Sequence, residues 1–250
     1  MADRERQGGG ERRARLLGLL VGAGAGDRAF GTKRLCEVCA EATAMSGAGI
    51  MLMSNDVPQG SLCTTNKMSD VIEQLQYALG EGPCVDAYRQ DWPVLEPDLV
   101  YPGTPRWPAF SPPAIEAGVR AIFGFPLQVG AVRLGALNLC RAWAGPLSDD
   151  GHADALVMAD IAAQAVLVLQ ANAAPGQLAA ALGAGADFHF VVHQAAGMVA
   201  AQLEVSIRQA LVRLRGYAFG NDRPLTDVAK DVVARKLRFD TASGEKDLVP

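Results

Sequence analysis

Histidine is scarce in this chain, with three among 250 residues. Only His152 falls between residues 31 and 171, which argues against a histidine-ligated haem or a four-ligand zinc site there. Cysteine is sparse as well. Five residues, an odd number without framework spacing, predict free thiols in a reducing compartment rather than disulfides. Cys36 and Cys39 stand one helical turn apart, but no second pair at metal-ligand spacing follows. Both are therefore expected to pack as small apolar side chains. No run approaches the length of a membrane span, and no internal repeat is visible. These absences predict a cytoplasmic chain with no membrane partner, no metal and no identifiable cofactor.

What is present is an apolar chain with uneven charge. Half of its residues are hydrophobic, enough for two modest cores, and the net charge is −4. Residues 1–30 carry 6 basic and 4 acidic side chains (+2), residues 31–171 carry 8 and 15 (−7), and residues 187–240 carry 8 and 6 (+2). The segments are expected to meet different partners. The head, "ERRARLLGLLVGAGAG", has the basic-then-apolar order of a secretory signal. The intracellular character of the rest favours a leader over 1–30, disordered at "RQGGG" and carrying a short helix.

Periodicity then sets the elements. "KRLCEVCAEATAM" carries Leu35, Val38, Cys39 and Ala42 at helical spacing, and "GAGIMLMS" and "GSLCTTN" read as paired strands. "SDVIEQLQYALGEG" opens on Ser69, places Ile72, Leu75 and Leu79 on one helical face and stops at Gly80. A turn-rich middle contains a short strand at "PVLEP" and a helix start at "WPAFSPPAIEAG". Residues 119–142 read as a hairpin about Gly130, and 148–171 as a long Ala-rich helix. The order predicts an α+β domain over 31–171, an antiparallel sheet with helices on one side. Residues 172–186 have no charge and read as a linker. Three amphipathic helices follow over 187–240, an all-α bundle, and then a tail over 241–250. The first helix buries Phe188, Val192, Ala195, Val199 and Leu203. The second begins at Ser206 with the capping-box partner Gln209. The third runs from Pro224 through Val228 and Val232 to Leu237.

Two resemblances add to this reading. Residues 31–171 resemble a GAF domain through "GAGIMLMS", "LGEGPCVDA", "PVLEPDL", "FGFPL" and "LGALNL". Residues 187–240 resemble an ANTAR domain through "HQAAGMVAAQLEVSIRQALVRLRGYAF" and "RPLTDVAKDVVARKL". The pairing is similar to the GAF–ANTAR antitermination regulators of actinobacteria. It implies a GAF-like domain that senses a small ligand or partner and a three-helix bundle that binds stem-loops of a leader transcript. The chain departs from that family at Ala196, where many members carry lysine.

The candidate RNA contacts are His193 and Gln194, which offer donors and acceptors, and Arg208, Arg213, Arg215, Lys230, Arg235 and Lys236. Against them stand a helix that packs with His193 at its margin and a solvated face in which Asp227 and Asp231 alternate with the bases. Gly197 is expected to mark a close helix crossing. Candidate ligand contacts are Cys84 in the "GEGPC" loop and the aromatics Trp92, Tyr101, Trp107 and Phe110, whose commoner fate is core packing. The Cys84 loop is also similar to that of free methionine sulfoxide reductases. The second cysteine which that chemistry needs is missing from "VDAYRQDWPVLEPD", so no catalytic residue is assigned. The apolar helix at 153–169 is the expected homodimer seam. The rival reading is a ligand-binding or protein-interaction module whose bundle does not bind RNA.

Overall fold

The computed structural model describes residues 2–22, 32–54, 56–103, 106–172, 187–239 and 246–247. The chain divides into two compact units, Met1–Ala174 and Pro175–Pro250.

The first unit is built on a five-stranded antiparallel sheet. Its strands are β1 (Gly47–Ser54), β2 (Val57–Thr64), β3 (Val94–Glu96), β4 (Ala121–Val129) and β5 (Val132–Arg141), in the spatial order β2-β1-β5-β4-β3. Its helices are α1 (Ala2–Gly22), α2 (Thr32–Ala42), α3 (Lys67–Leu79), α4 (Pro83–Gln90), α5 (Ser111–Glu116) and α6 (Asp149–Asn172). They cover both faces of the sheet rather than the single face expected. α3 and α4 lie over Gly49 and Gly124, whereas the Phe125 ring meets His152 of α6 on the opposite side, with centroids 5.6 Å apart. Burial on two faces explains why β1 reads as an unbroken apolar run and not as an alternation.

Local chemistry sets several boundaries. α3 is capped by Asn66, whose side chain accepts from the Ser69 amide while Ser69 returns a bond to the Asn66 backbone. Ser69 is thus the third helical residue of a capping box and not the cap that the sequence reading assigned. Gly80 ends the helix at φ 65°, as expected. α4 escaped the sequence reading because it is one short stretch between Gly82 and Asp91, and "GEGPC" looked like a loop. Pro83 instead opens a helix that contains Cys84.

The opposite face departs further from expectation. "RQGGG" lies inside α1, a helix of 21 residues. α1 is held by Leu16 and Leu20, both buried, and by arginines that grip α6. Arg12 bonds Asp150 at 2.9 Å and Asp154 at 2.5 Å, Arg15 bonds Asp154 at 2.6 Å, and Arg13 bonds Asp160. The arginine beside it holds the Asp150 carboxyl below its ordinary range. Asp149–Ala171 of α6 is, by length and hydropathy, a helix long and apolar enough to cross a membrane, which corrects the reading that no run reaches that length. Its Ala155, Met158, Ala162 and Val166 are buried in this unit. Cys36 and Cys63 form a disulfide that ties α2 to the edge strand β2. The expectation of five free thiols, and of Cys36 packing with Cys39, is corrected accordingly. Spacing along the chain reveals a pair one turn apart, but not one joined across 27 residues.

The second unit has α7 (Asp187–Leu203), α8 (Ile207–Gly220), α9 (Leu225–Val233) and a ribbon of β6 (Leu237–Arg238) with β7 (Lys246–Asp247). Val192, Ala195, Val199, Ala210, Leu214 and Val228 are among its buried side chains. The Phe188 side chain and the proposed linker 173–186 lie outside the described residues. Ser206 and Gln209 form the expected capping box. α9 stops at Val233, because Arg235 turns to φ 58°, so Leu237 is buried from a strand and not from the third helix. Lys246 and Asp247 of the expected tail belong to the ribbon.

Two outcomes follow. Alkylation of the denatured protein without reductant should label three cysteines, Cys39, Cys84 and Cys140, and all five after reduction, as counted by mass spectrometry. At Gly124 a Cβ would stand 2.5 Å from the Pro83 carbonyl oxygen, which is backbone and cannot swing away. Gly124→Ala should lower stability by about 1–3 kcal/mol in urea denaturation.

Candidate functional site

The first unit gathers buried polar groups between α3 and the sheet. Helical spacing turns Ser69, Glu73 and Gln76 of α3 inward, and all three are buried. Leu75 and Leu79 are only partly buried and pack sideways, against a cluster containing Ile72, Phe110 and Val119. Asn138 of β5 lies opposite Gly49 of β1 and Gly124 of β4. With a glycine on each side, Asn138 is the one side chain in that row of three. A Cβ at Gly49 would meet the Glu73 carboxyl group at 2.8 Å, and one at Gly82 (φ 127°) would meet Gln76 at 2.6 Å. The glycines therefore let α3 and the α3–α4 turn press onto the sheet and onto each other.

The chemistry of this cluster is that of polar atoms shut away from water. Gln76 Oε1 accepts the Cys84 amide at 2.8 Å. Among the described residues, neither carboxyl oxygen of Glu73, nor Gln76 Nε2, nor either amide atom of Asn138 finds a hydrogen-bond partner. Burial pushes the Glu73 carboxyl up to about 8, although the facing Asn138 amide offsets part of the effect and Asp70 adds to it. Glu73 is thus a neutral acid at pH 7, able to donate one hydrogen bond. Burial also raises the Cys84 thiol well above its ordinary range and Cys140 to about 12, with Glu73 contributing to both. Neither thiol is a ready nucleophile in this state.

The expected ligand contacts do not converge here. Trp92 and Tyr101 stand on the surface, 72% and 80% exposed. Trp107 and Phe110 are buried in the core cluster, ring to ring at 6.1 Å, and Trp107 Nε1 donates to Asp86 at 2.8 Å. Trp107 holds φ 57°, a costly backbone for a large side chain, so its ring plugs the core and walls no cavity. Cys84 is buried at the start of α4. Sequence reasoning missed Glu73, Gln76 and Asn138. A carboxylate and an amide on the inward positions of a helix whose apolar stripe points elsewhere were the available signal. A separate apolar cavity of about 320 Å³ opens between α1, α2 and α6, lined by Leu17, Leu20, Leu35, Ile161, Val168 and Leu169.

In the second unit the candidate RNA contacts divide by element. Gln194 is exposed and His193 half-buried on α7. Ala195 and Ala196 are fully buried, so position 196 faces the bundle interior and a small side chain fits it. Gly197 is exposed with nothing within 4 Å of a built Cβ, which overturns the expectation of a close crossing there. Arg208 and Arg213 are exposed on α8 and Arg215 half-buried, and this helix contains no acidic residue. On α9, Lys230 lies 3.5 Å from Asp227, and Asp231 bonds Arg223 at 2.5 Å. Arg235 and Lys236 are exposed just past the helix end. Among the described residues no cluster of His, Cys, Asp or Glu has the arrangement of a metal site.

No protein-family model matches the chain, and no curated protein matches it. Solved structures do. The chain is similar to the GAF domain of a phosphoenolpyruvate-protein phosphotransferase from Coxiella burnetii, at 13% identity over 65% of this chain and 95% of that one, with a TM-score of 0.48. The GAF domain of the Acinetobacter phosphoenolpyruvate-protein phosphotransferase shares 10% identity over 65% and 95% of the two chains, with a TM-score of 0.47. A type II free methionine-R-sulfoxide reductase from Thermoplasma acidophilum shares 18% identity over 54% and 88%, with a TM-score of 0.44.

The raised Glu73 pKa fixes the sign of a pH effect. Between about 4.5 and 8 the folded chain keeps a proton that the unfolded chain releases. This group therefore lowers stability as pH rises through that window, by about 1.4 kcal/mol per pH unit, and the effect levels off above it. Glu73→Gln should remove this slope, so that the variant gains on the parent as pH rises in chemical denaturation at several pH values.

Proposed function

We propose that the chain is a two-part regulator, in which the N-terminal unit senses a small ligand or partner and the C-terminal bundle binds stem-loop RNA. The observation that carries the RNA part is α8, with three arginines, no acidic residue and an exposed outer side. Arginine suits phosphates and stacks on unpaired bases. The −7 balance of residues 31–171 makes the first unit a poor surface for a polyanion, so RNA affinity resides in 187–240. The buried Glu73, Gln76 and Asn138 support the sensing part. Unpartnered polar atoms in a closed interior stabilise any state in which a ligand or water satisfies them. Leu156 and Val168 of α6 and Leu17 and Val21 of α1 are exposed apolar residues, and they support α6 as the seam of a homodimer that presents two bundles to one transcript.

A second reading, an interaction module without RNA binding, is favoured by the acidic partners of Lys230 and Arg223 on α9.

RNA titration of the full chain at several salt concentrations separates the two. Replacing Lys230, Arg235 and Lys236 with Ala should weaken binding to a tandem stem-loop RNA. It should also flatten the slope of log affinity against log salt by about 2–3, as fewer counterions are released. No binding by the parent chain at low salt rejects the RNA reading. An unchanged slope in the variant removes these three side chains from it.

A further inference from the structure

The outer side of α8 carries a feature that packing does not explain. Gly216 lies inside the helix, is exposed, and a Cβ built on it meets nothing within 4 Å. Glycine there weakens the helix with no close crossing in return. Four residues before it stands Val212, 60% exposed, and three residues after it stands Phe219, 71% exposed. These spacings put all three on one face. The helical rise separates Val212 from Phe219 by about 10 Å, with the bare Gly216 backbone between them. The result is a slot with an apolar wall at each end, one of them aromatic, open to solvent. The helix that forms it contributes Arg208, Arg213 and Arg215 and no acid.

A flat apolar face beside positive charge complements a planar ring carried on a phosphate chain. We propose that the slot formed by Val212, Gly216 and Phe219 takes an unpaired base of RNA, stacked on Phe219, with the α8 arginines on the flanking phosphates. The proposal rests on the RNA-binding reading above and gives it a chemical preference. Bases inside a duplex are stacked on one another and do not reach such a slot, so the ligand is a loop or single strand. A second copy of this chain is the other occupant that exposed apolar residues could take. A twofold pairing of α8 with itself would bring arginines against arginines with no acid on the helix to balance them, which disfavours that occupant.

The test compares the full chain with Phe219→Ala, Phe219→Trp and Gly216→Leu. The probes are a pool of short RNA hairpins with randomised unpaired loops and the fully paired duplex of the same stem. Phe219→Ala should weaken hairpin binding by roughly tenfold to a hundredfold, and Phe219→Trp should retain it. Gly216→Leu fills the slot and should weaken hairpin binding to a similar extent while its melting temperature equals or exceeds that of the parent. Duplex binding should be the same in all four proteins. If the parent binds hairpins and Phe219→Ala binds them equally well, the slot is overturned and the RNA reading survives. If the parent binds neither probe, both fall. If Phe219→Ala turns a dimer into a monomer in sedimentation with no change in hairpin affinity, the slot is an interface between copies and the proposal is overturned.

Discussion

At Gly49 and Gly124 the sheet has no side chain to hold its covering helices off, and α3 and α4 settle against the strand backbones. The rest of the first unit's interior follows from that closeness. Glu73 is pressed over β1, where no water screens it and Asn138 is its polar neighbour, and its carboxyl is neutral as a result. Gln76 is held against the turn at Gly82, and its carbonyl oxygen takes up the Cys84 amide at the start of α4. The space that aromatic side chains could have lined is filled by Trp107 and Phe110, which complete a hydrophobic cluster under α3 and α5. The interior is therefore closed, but it holds polar atoms without partners, an arrangement that favours any opening which satisfies them.

The other face of the sheet is held by different forces. α1 is joined to α6 by arginine–aspartate pairs, in which the nearly buried Asp154 is shared by Arg12 and Arg15. α2 is joined to the edge strand by a covalent bond between Cys36 and Cys63. Between these fastenings the apolar sides of α1, α2 and α6 do not meet fully and leave a cavity of about 320 Å³. A sensor that passes a signal through α6 would have its two sheet faces differently restrained, one by close packing and one by ion pairs. The ion pairs weaken as salt rises, and the packing does not.

The second unit separates packing from charge within three helices. The alanines of α7 and α8 bury completely, so the helices approach closely, and a long side chain at position 196 would have no room. Basic residues on α9 are partly neutralised by neighbouring aspartates, whereas α8 keeps its positive charge. The candidate recognition surface is consequently centred on the second helix rather than the third.

Sequence by itself determined what depends on neighbours along the chain. The hairpin about Gly130, the αL stop at Gly80, the Ser206–Gln209 capping box and the inward positions of α7 and α8 all follow from local dihedrals and helical period. Tertiary structure decided what depends on residues that meet from a distance. The Cys36–Cys63 bond requires α2 to lie beside β2, and the neutral Glu73 requires the glycine of another element beneath it. Trp92 and Trp107 are the same residue type in neighbouring turns, yet one is in water and the other in the core, because Asp86 and Phe110 converge on only one of them. Gly197 and Gly216 read alike as helix glycines with a crossing to serve. Open space around both shows that neither serves one, and only Gly216 lies between two exposed apolar side chains of its own helix face. Spacing fixes which face a side chain occupies, but its surroundings are set by whatever element packs there, and that partner lies far away in the sequence.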